Sequence, residues 1–197
     1  MKKLILLLSL ISFSVSAQTI LFLGDSLTEG YGMNPDFAFP NLIQEKLKKS
    51  EHKDAVVING GVSGSTTASG LKRLQWYAKR KPTHMVLALG ANDGLRGLKI
   101  EKSKQYLESI IEAAQKQGMK VILVGMKMPT NYGGAYRKSF EEMYATLAKK
   151  YKLTFIPFLL EGVGGDPKLN LPDGIHPNPE GHKILAETVW KTLKDEL

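Results

Sequence analysis

The sequence contains no cysteine. That excludes a disulfide framework and a lipid-modified N-terminal cysteine, and it removes thiolates from any metal site. No Gly-x-Ser-x-Gly elbow occurs, so the usual α/β-hydrolase signature is absent. There is no basic stripe interleaved with aromatic residues of the kind that single-stranded nucleic acid requires, and no nucleic-acid partner is expected. Internal repeats, low-complexity linkers and heptads are also missing, which leaves one domain and a monomer as the default. The long apolar run that does occur lies at the N-terminus. Met1-Lys2-Lys3 precedes apolar Leu4 to Val15, and Val15-Ser16-Ala17 has the small residues of a cleavage site. This reads as a secretory signal peptide over residues 1–17, too short for a membrane span. The mature chain is then residues 18–197, exported to the periplasm or secreted.

The net charge is +8, of which Lys2 and Lys3 supply two. The other lysines sit in stretches such as Lys46-Leu47-Lys48-Lys49 and Lys79-Arg80-Lys81, which read as solvated helix faces. Beyond a small-molecule substrate, this charge suggests weak attraction to an anionic membrane surface or to acidic substrates.

Short apolar runs alternate with amphipathic segments. Strands are expected at Thr19–Leu23, Ala55–Ile58, His84–Leu89, Val121–Gly125 and Thr154–Ile156. Leu107, Ile110, Ile111 and Ala114 share one helical face, and Gly118 follows as a stop signal. Phe140, Met143, Tyr144, Leu147, Ala148 and Tyr151 form a second such face. Leu71, Leu74, Gln75 and Ala78 suggest a third, ending near Lys81 because Pro82 disfavours helix before it. This alternation predicts a three-layer α/β domain: a parallel sheet with helices on both faces.

The informative segments follow the strands. A strand ending in Gly24-Asp25-Ser26 puts a hydroxyl at the carboxyl edge of the sheet, where α/β proteins bind ligands. Ser26 is the candidate nucleophile, with Ser63 and Ser65 as rivals. A serine hydroxyl needs a base, a group to orient that base, and donors for the oxyanion. His176 lies three residues after Asp173, so Asp173 can accept from one ring nitrogen and leave the other for the serine. The Asn92 side-chain amide and the backbone N–H groups of Ser26 and Gly64 are candidate oxyanion donors. Asp25 reads as a residue that orders the nucleophile turn. The Asp93–Gly97 and Met126–Gly134 segments read as loops walling an acyl pocket, with Asp25, Leu95, Met128 and Pro129 as substrate-pocket residues. His52, His84 and His182 read as structural or surface histidines. A metal site built on Asp173 and His176 is the competing use, but the opening loop lacks the Asp-x-His that would complete one, and no metal or cofactor is expected.

Taken together, Gly24-Asp25-Ser26-Leu27-Thr28, Gly61-Val62-Ser63-Gly64, Gly90-Ala91-Asn92-Asp93 and Asp173-Gly174-Ile175-His176-Pro177 resemble the four blocks of the GDSL/SGNH hydrolase family, in the family's order. The resemblance implies a flavodoxin-like fold with five parallel strands. It also implies Ser26, Asp173 and His176 as a triad, and Ser26, Gly64 and Asn92 as oxyanion donors. Asn92-Asp93-Gly94-Leu95-Arg96-Gly97 and Pro129-Thr130-Asn131-Tyr132-Gly133 look most like thioesterase, lysophospholipase and arylesterase members, so an acyl ester or thioester is the implied substrate. One departure bears on the oxyanion loop. Ser65 follows Gly64 where such thioesterases commonly carry an acidic residue. Rival classes are an acetyl-glycan esterase, a non-catalytic binding module and a metal-dependent phosphoesterase.

Overall fold

The computed structural model describes residues 18–197. The signal-peptide reading of residues 1–17 lies outside the described residues. Strand β1 spans Thr19–Gly24, and Ile20 to Leu23 are completely buried. A strand sealed on both faces belongs in the middle of a parallel sheet. Strands β2 (Val56–Gly61), β3 (His84–Ala88), β4 (Lys120–Val124) and β5 (Thr154–Ile156) complete that sheet in the order β2-β1-β3-β4-β5. Each neighbouring pair is parallel. The expected five-stranded, flavodoxin-like α/β architecture is therefore what the chain adopts.

Seven α-helices accompany the strands among the described residues: α1 (Ser26–Glu29), α2 (Phe39–Lys48), α3 (Gly70–Tyr77), α4 (Ala91–Leu95), α5 (Ile100–Lys116), α6 (Gly134–Tyr151) and α7 (Pro179–Leu193). Helix α2 packs with α7, while α3 packs with α5 and α5 with α6. Right-handed crossovers in this strand order require that division between two faces. The expected faces of α5 and α6 are in the core: Leu107, Ile110, Ile111, Ala114, Phe140, Met143, Tyr144 and Leu147 are all buried. On α3 the expectation fails at Gln75, which is exposed while Leu74 is buried. One residue advances the helix by about 100°, which carries Gln75 off the core-facing stripe.

Two further differences lie beside the site. The second strand is expected to end at Ile58, with a loop from Asn59 onward, but Asn59–Gly61 continue β2, pairing in register with Phe22, Leu23 and Gly24. The ladder uses backbone groups, so glycines can extend it. Asn92 to Leu95, also expected in a loop, belong to α4. That short glycine-containing helix has little intrinsic propensity. Asp93 anchors it. Buried Asp93 accepts from the Thr67 N–H at 2.9 Å, the Thr67 hydroxyl at 2.6 Å and the Ser103 hydroxyl at 2.9 Å.

Glycine at the strand ends lets α1 lie directly on the sheet. A Cβ at Gly24 would stand 1.9 Å from Thr28 Oγ1, and one at Gly61 would stand 2.1 Å from the Glu29 nitrogen. The chain leaves β1 towards the α2 face and leaves β3 towards the α5 face. The crevice between those two strand ends is the switch point at which ligands bind in such sheets. Ser26 and Asn92 stand on either side of it.

Candidate active site

Ser26 opens α1, and Asp25 is its N-cap, accepting from the Leu27 N–H at 3.1 Å. Asp25 is buried, and that burial raises its carboxyl from 3.8 to about 6; the Leu27 N–H and the charges of His176 and Arg73 pull the other way. From α3, Arg73 Nη2 donates to the Gly24 carbonyl at 2.8 Å and to the Gly60 carbonyl. It thereby ties together the ends of β1 and β2 beneath the serine.

The segment from Pro157 to Asn178 has no helix or regular strand and brings the acid and the imidazole to this edge. Asp173 Oδ1 accepts from the backbone N–H groups of Ile175 and His176 at 2.9 and 3.0 Å, while Oδ2 lies 2.8 Å from His176 Nδ1. These bonds, led by the His176 backbone N–H, hold the Asp173 carboxyl down at about 2. It is a carboxylate near neutrality and so an acceptor facing Nδ1, which favours the tautomer with its proton on Nδ1; in that tautomer Nε2 is the acceptor. Nε2 lies 2.9 Å from Ser26 Oγ. Tyr31 packs its ring on the imidazole, with centroids 4.7 Å apart.

Asn92 Nδ2 donates to the Ser65 carbonyl at 3.0 Å, and Arg96 Nη2 donates to the Gly64 carbonyl at 3.1 Å. The Gly64 loop is thus joined to α4. Among the described residues, no hydrogen bond takes the backbone N–H of Ser26 or of Gly64. Gly64 is exposed, with φ +73°, and is not one of the residues lining the cleft.

That cleft has a volume of about 580 Å³ and opens beside Ser26, Asn92 and His176. Asp25, Leu95, Met128 and Pro129, the four pocket residues expected from the sequence, all line it. They are joined by Leu27, Phe158, Leu160 and Ile175. Asp93, by contrast, is not a wall residue; it is the buried anchor of α4. Gly94 gives room to the wall, since a Cβ there would meet Met128 Sδ at 2.4 Å. Sequence reasoning missed Tyr31, Arg73, Phe158 and Leu160. The first two lie in helix or turn segments that carry no motif. The last two fall in the long segment after β5, whose length was its only signal.

The remaining histidines lie outside the cleft lining. His84 is buried between the Thr83 hydroxyl at 2.9 Å and the Glu196 carbonyl at 3.1 Å. His182 Nδ1 accepts from the Phe39 N–H at 3.1 Å, and burial depresses the ring to about 4, with the charge of His176 adding to the effect. Rivals Ser63 and Ser65 face no histidine: Ser63 bonds Glu29, and Ser65 accepts from Asn92. Among the described residues, no three His, Asp or Glu side chains cluster as metal ligands would.

The family model described as GDSL-like Lipase/Acylhydrolase matches residues 22–184. The chain belongs to the GDSL-like lipase/acylhydrolase family. By family it is an ester or thioester hydrolase. Esterase TesA of Pseudomonas aeruginosa is 40% identical over 190 residues, covering 96% of this chain and 94% of that protein. A crystal structure of TesA, also 40% identical, superposes with a TM-score of 0.88 over 91% of this chain and 100% of that one. An arylesterase of Vibrio mimicus is 37% identical over 98% of this chain and 97% of its own length. The thioesterase 1/protease 1/lysophospholipase L1 of Escherichia coli K12 is 35% identical, over 96% of this chain and 90% of its own length. The switch-point crevice of this GDSL-like hydrolase thus holds the serine, histidine and aspartate in hydrogen-bonded sequence, beside an apolar cleft.

Proposed function

We propose that this hydrolase cleaves acyl esters and thioesters through an acyl-enzyme on Ser26. The observation that carries the reading is the unbroken line from Ser26 Oγ through His176 to Asp173, with links of 2.9 and 2.8 Å. His176 Nε2 takes the hydroxyl proton as Ser26 Oγ attacks the acyl carbonyl carbon. The tetrahedral oxyanion is met by the Ser26 and Gly64 N–H groups and the Asn92 amide. His176 then protonates the departing alcohol or thiol as its bond to the acyl carbon breaks. Water repeats the sequence on the acyl-enzyme and releases the acid. Asp173 keeps the imidazole in the required tautomer and stabilises the imidazolium.

The cleft supports an acyl chain longer than acetyl. Its apolar wall, with Leu95, Met128, Phe158 and Leu160, offers an acetyl-glycan few polar partners. The deciding experiment is hydrolysis of p-nitrophenyl esters from acetyl to palmitoyl, with Ser26→Ala in parallel and EDTA present. Activity on medium or long chains that is lost in Ser26→Ala, and unaffected by EDTA, is the expected result. Activity retained by Ser26→Ala would overturn the mechanism. An acetyl-only profile would move the assignment to an acetyl-glycan esterase.

Export after loss of residues 1–17 is part of the same proposal. It is supported by the basic, apolar and small-residue order of that segment. The exported protein should begin at Gln18 on N-terminal sequencing, and an intact Met1 terminus would overturn this.

A further inference from the structure

The loop that carries Gly64 is held by side chains from two directions. From α4 and the turn after it, Asn92 donates to the Ser65 carbonyl and Arg96 to the Gly64 carbonyl. From α1, Glu29 Oε2 accepts the Ser63 backbone N–H at 2.7 Å and also the Ser63 hydroxyl. The peptide bearing the Gly64 N–H lies between these anchors. The backbone of Glu29, an exposed residue, rests directly on Gly61: a Cβ there would meet the Glu29 nitrogen at 2.1 Å and its Cα at 2.5 Å. Glu29 is also only three residues beyond Ser26 on the same short helix. A single helix thus presents the nucleophile and grips the loop that carries a candidate oxyanion donor.

We infer that Glu29 is a positioning residue for the oxyanion site, acting through Ser63 to hold the Gly64 N–H in line with Ser26. The physical need is specific. Gly64 has φ +73° and an exposed backbone, and glycine has unusual freedom to rotate. A rotated peptide would turn its N–H away from the site. Oxyanion donors act only when they are aimed before charge develops, and a hydrogen bond to a carboxylate is stronger than a neutral one. The residue after Gly64 is a serine, so the loop carries no carboxylate at that position. The carboxylate on Ser63 comes instead from α1. The inference rests on the acyl-transfer reading of Ser26 and Gly64.

The test compares Glu29→Ala, Glu29→Gln and Ser26→Ala in the purified protein, using p-nitrophenyl butyrate and a trifluoromethyl ketone of matching chain length. The ketone adds to the serine and places an oxyanion where the tetrahedral intermediate has one; the ester ground state does not. Glu29→Ala should lower kcat about tenfold, less than outright deletion of a donor, with KM changed by less than about twofold. The ketone Ki should rise by the same factor as kcat falls. Glu29→Gln keeps an oxygen that can accept the Ser63 N–H and should stay within about threefold of the parent. Should Glu29→Ala fail to fold, Glu29→Asp, one methylene short of Ser63, provides the same reading.

A Glu29→Ala protein with unchanged kcat, beside an inactive Ser26→Ala, would overturn the inference and leave the acyl-transfer reading intact. A fall in kcat with no change in ketone Ki would overturn it too, by showing a merely structural role. Equal damage from Ala and Gln would overturn the acceptor role. Activity retained by Ser26→Ala would remove the reading on which the inference stands.

Discussion

His176 Nε2 lies 2.9 Å from Ser26 Oγ although 150 residues separate the two in the chain. Asp173, on the other side of the ring, is partly open to solvent, its side chain 38% exposed. The two partners of the imidazole should therefore differ in importance. Ser26→Ala should reduce kcat by about 10⁴ or more, since among the described residues no other side-chain hydroxyl is hydrogen-bonded to His176. Asp173→Asn should cost about 10²–10⁴, because an amide can no longer fix the Nδ1 proton. Steady-state kinetics on one p-nitrophenyl ester checks both. A milder effect for Ser26→Ala than for Asp173→Asn would contradict this order.

Asp25 carries a cost that depends on pH. Its carboxyl is raised from 3.8 to about 6 by burial. Stability that is fully present below pH 3.8 is therefore lost as pH rises through 6, because the folded chain must hold a carboxylate that the unfolded chain hydrates. Asparagine keeps the oxygen that accepts from Leu27 and carries no charge. Asp25→Asn should be more stable than the parent by up to about 3 kcal/mol at pH 8 and nearly equal at pH 3.5. Urea unfolding at the two pH values measures the difference, and a gain at pH 3.5 equal to that at pH 8 would disprove the assignment.

His182 acts in the opposite sense over an overlapping range. Its ring is held down from 6.5 to about 4, chiefly by burial. Its contribution is present above pH 6.5 and is lost as pH falls through 4, with a ceiling of roughly 3 kcal/mol. In the Asp25→Asn background this acid loss should stand out, since the opposing gain from Asp25 is gone. Thermal melts of that variant between pH 7 and 4 should show Tm falling more steeply than in the parent.

The proposal that the acyl chain lies in the cleft is tested at its wall. Leu95→Trp or Met128→Trp should reduce kcat/KM for decanoyl relative to butanoyl esters by about tenfold or more, because each lost methylene contact is worth roughly 1–3 kcal/mol. Unchanged chain-length profiles in both variants would show that the acyl chain lies elsewhere. Gly94→Ala should disturb the same wall from behind. Its Cβ would press on Met128 Sδ at 2.4 Å, so a loss of about 1–3 kcal/mol in stability is expected from denaturant unfolding.

Much of the site was visible before the fold was. The apolar runs at Thr19–Leu23 and Thr154–Ile156 located strands to within a residue, and the faces of α5 and α6 followed from helical spacing. Failures came where local propensity was weak. Asn92 to Leu95 looked like a loop because Gly94 interrupts them, yet Asp93 binds Thr67 and Ser103 and holds the turn of helix together. Asn59–Gly61 looked like a loop for the same reason, and pairing with β1 made it strand.

Sequence alone determined which residue types could serve as nucleophile, base, orienting acid and oxyanion donor, and that they lie in segments after the first, second, third and fifth strands. Those features are local, written in windows of a few residues through periodicity and turn chemistry. Tertiary structure alone decided the rest: that Asp25 is buried beneath the serine, that Phe158 and Leu160 wall the cleft, and that Glu29 reaches Ser63. These depend on the order in which strands lie side by side and on how closely α1 sits on Gly24 and Gly61. Such distances between remote segments arise from packing the whole chain, and no window of sequence contains them.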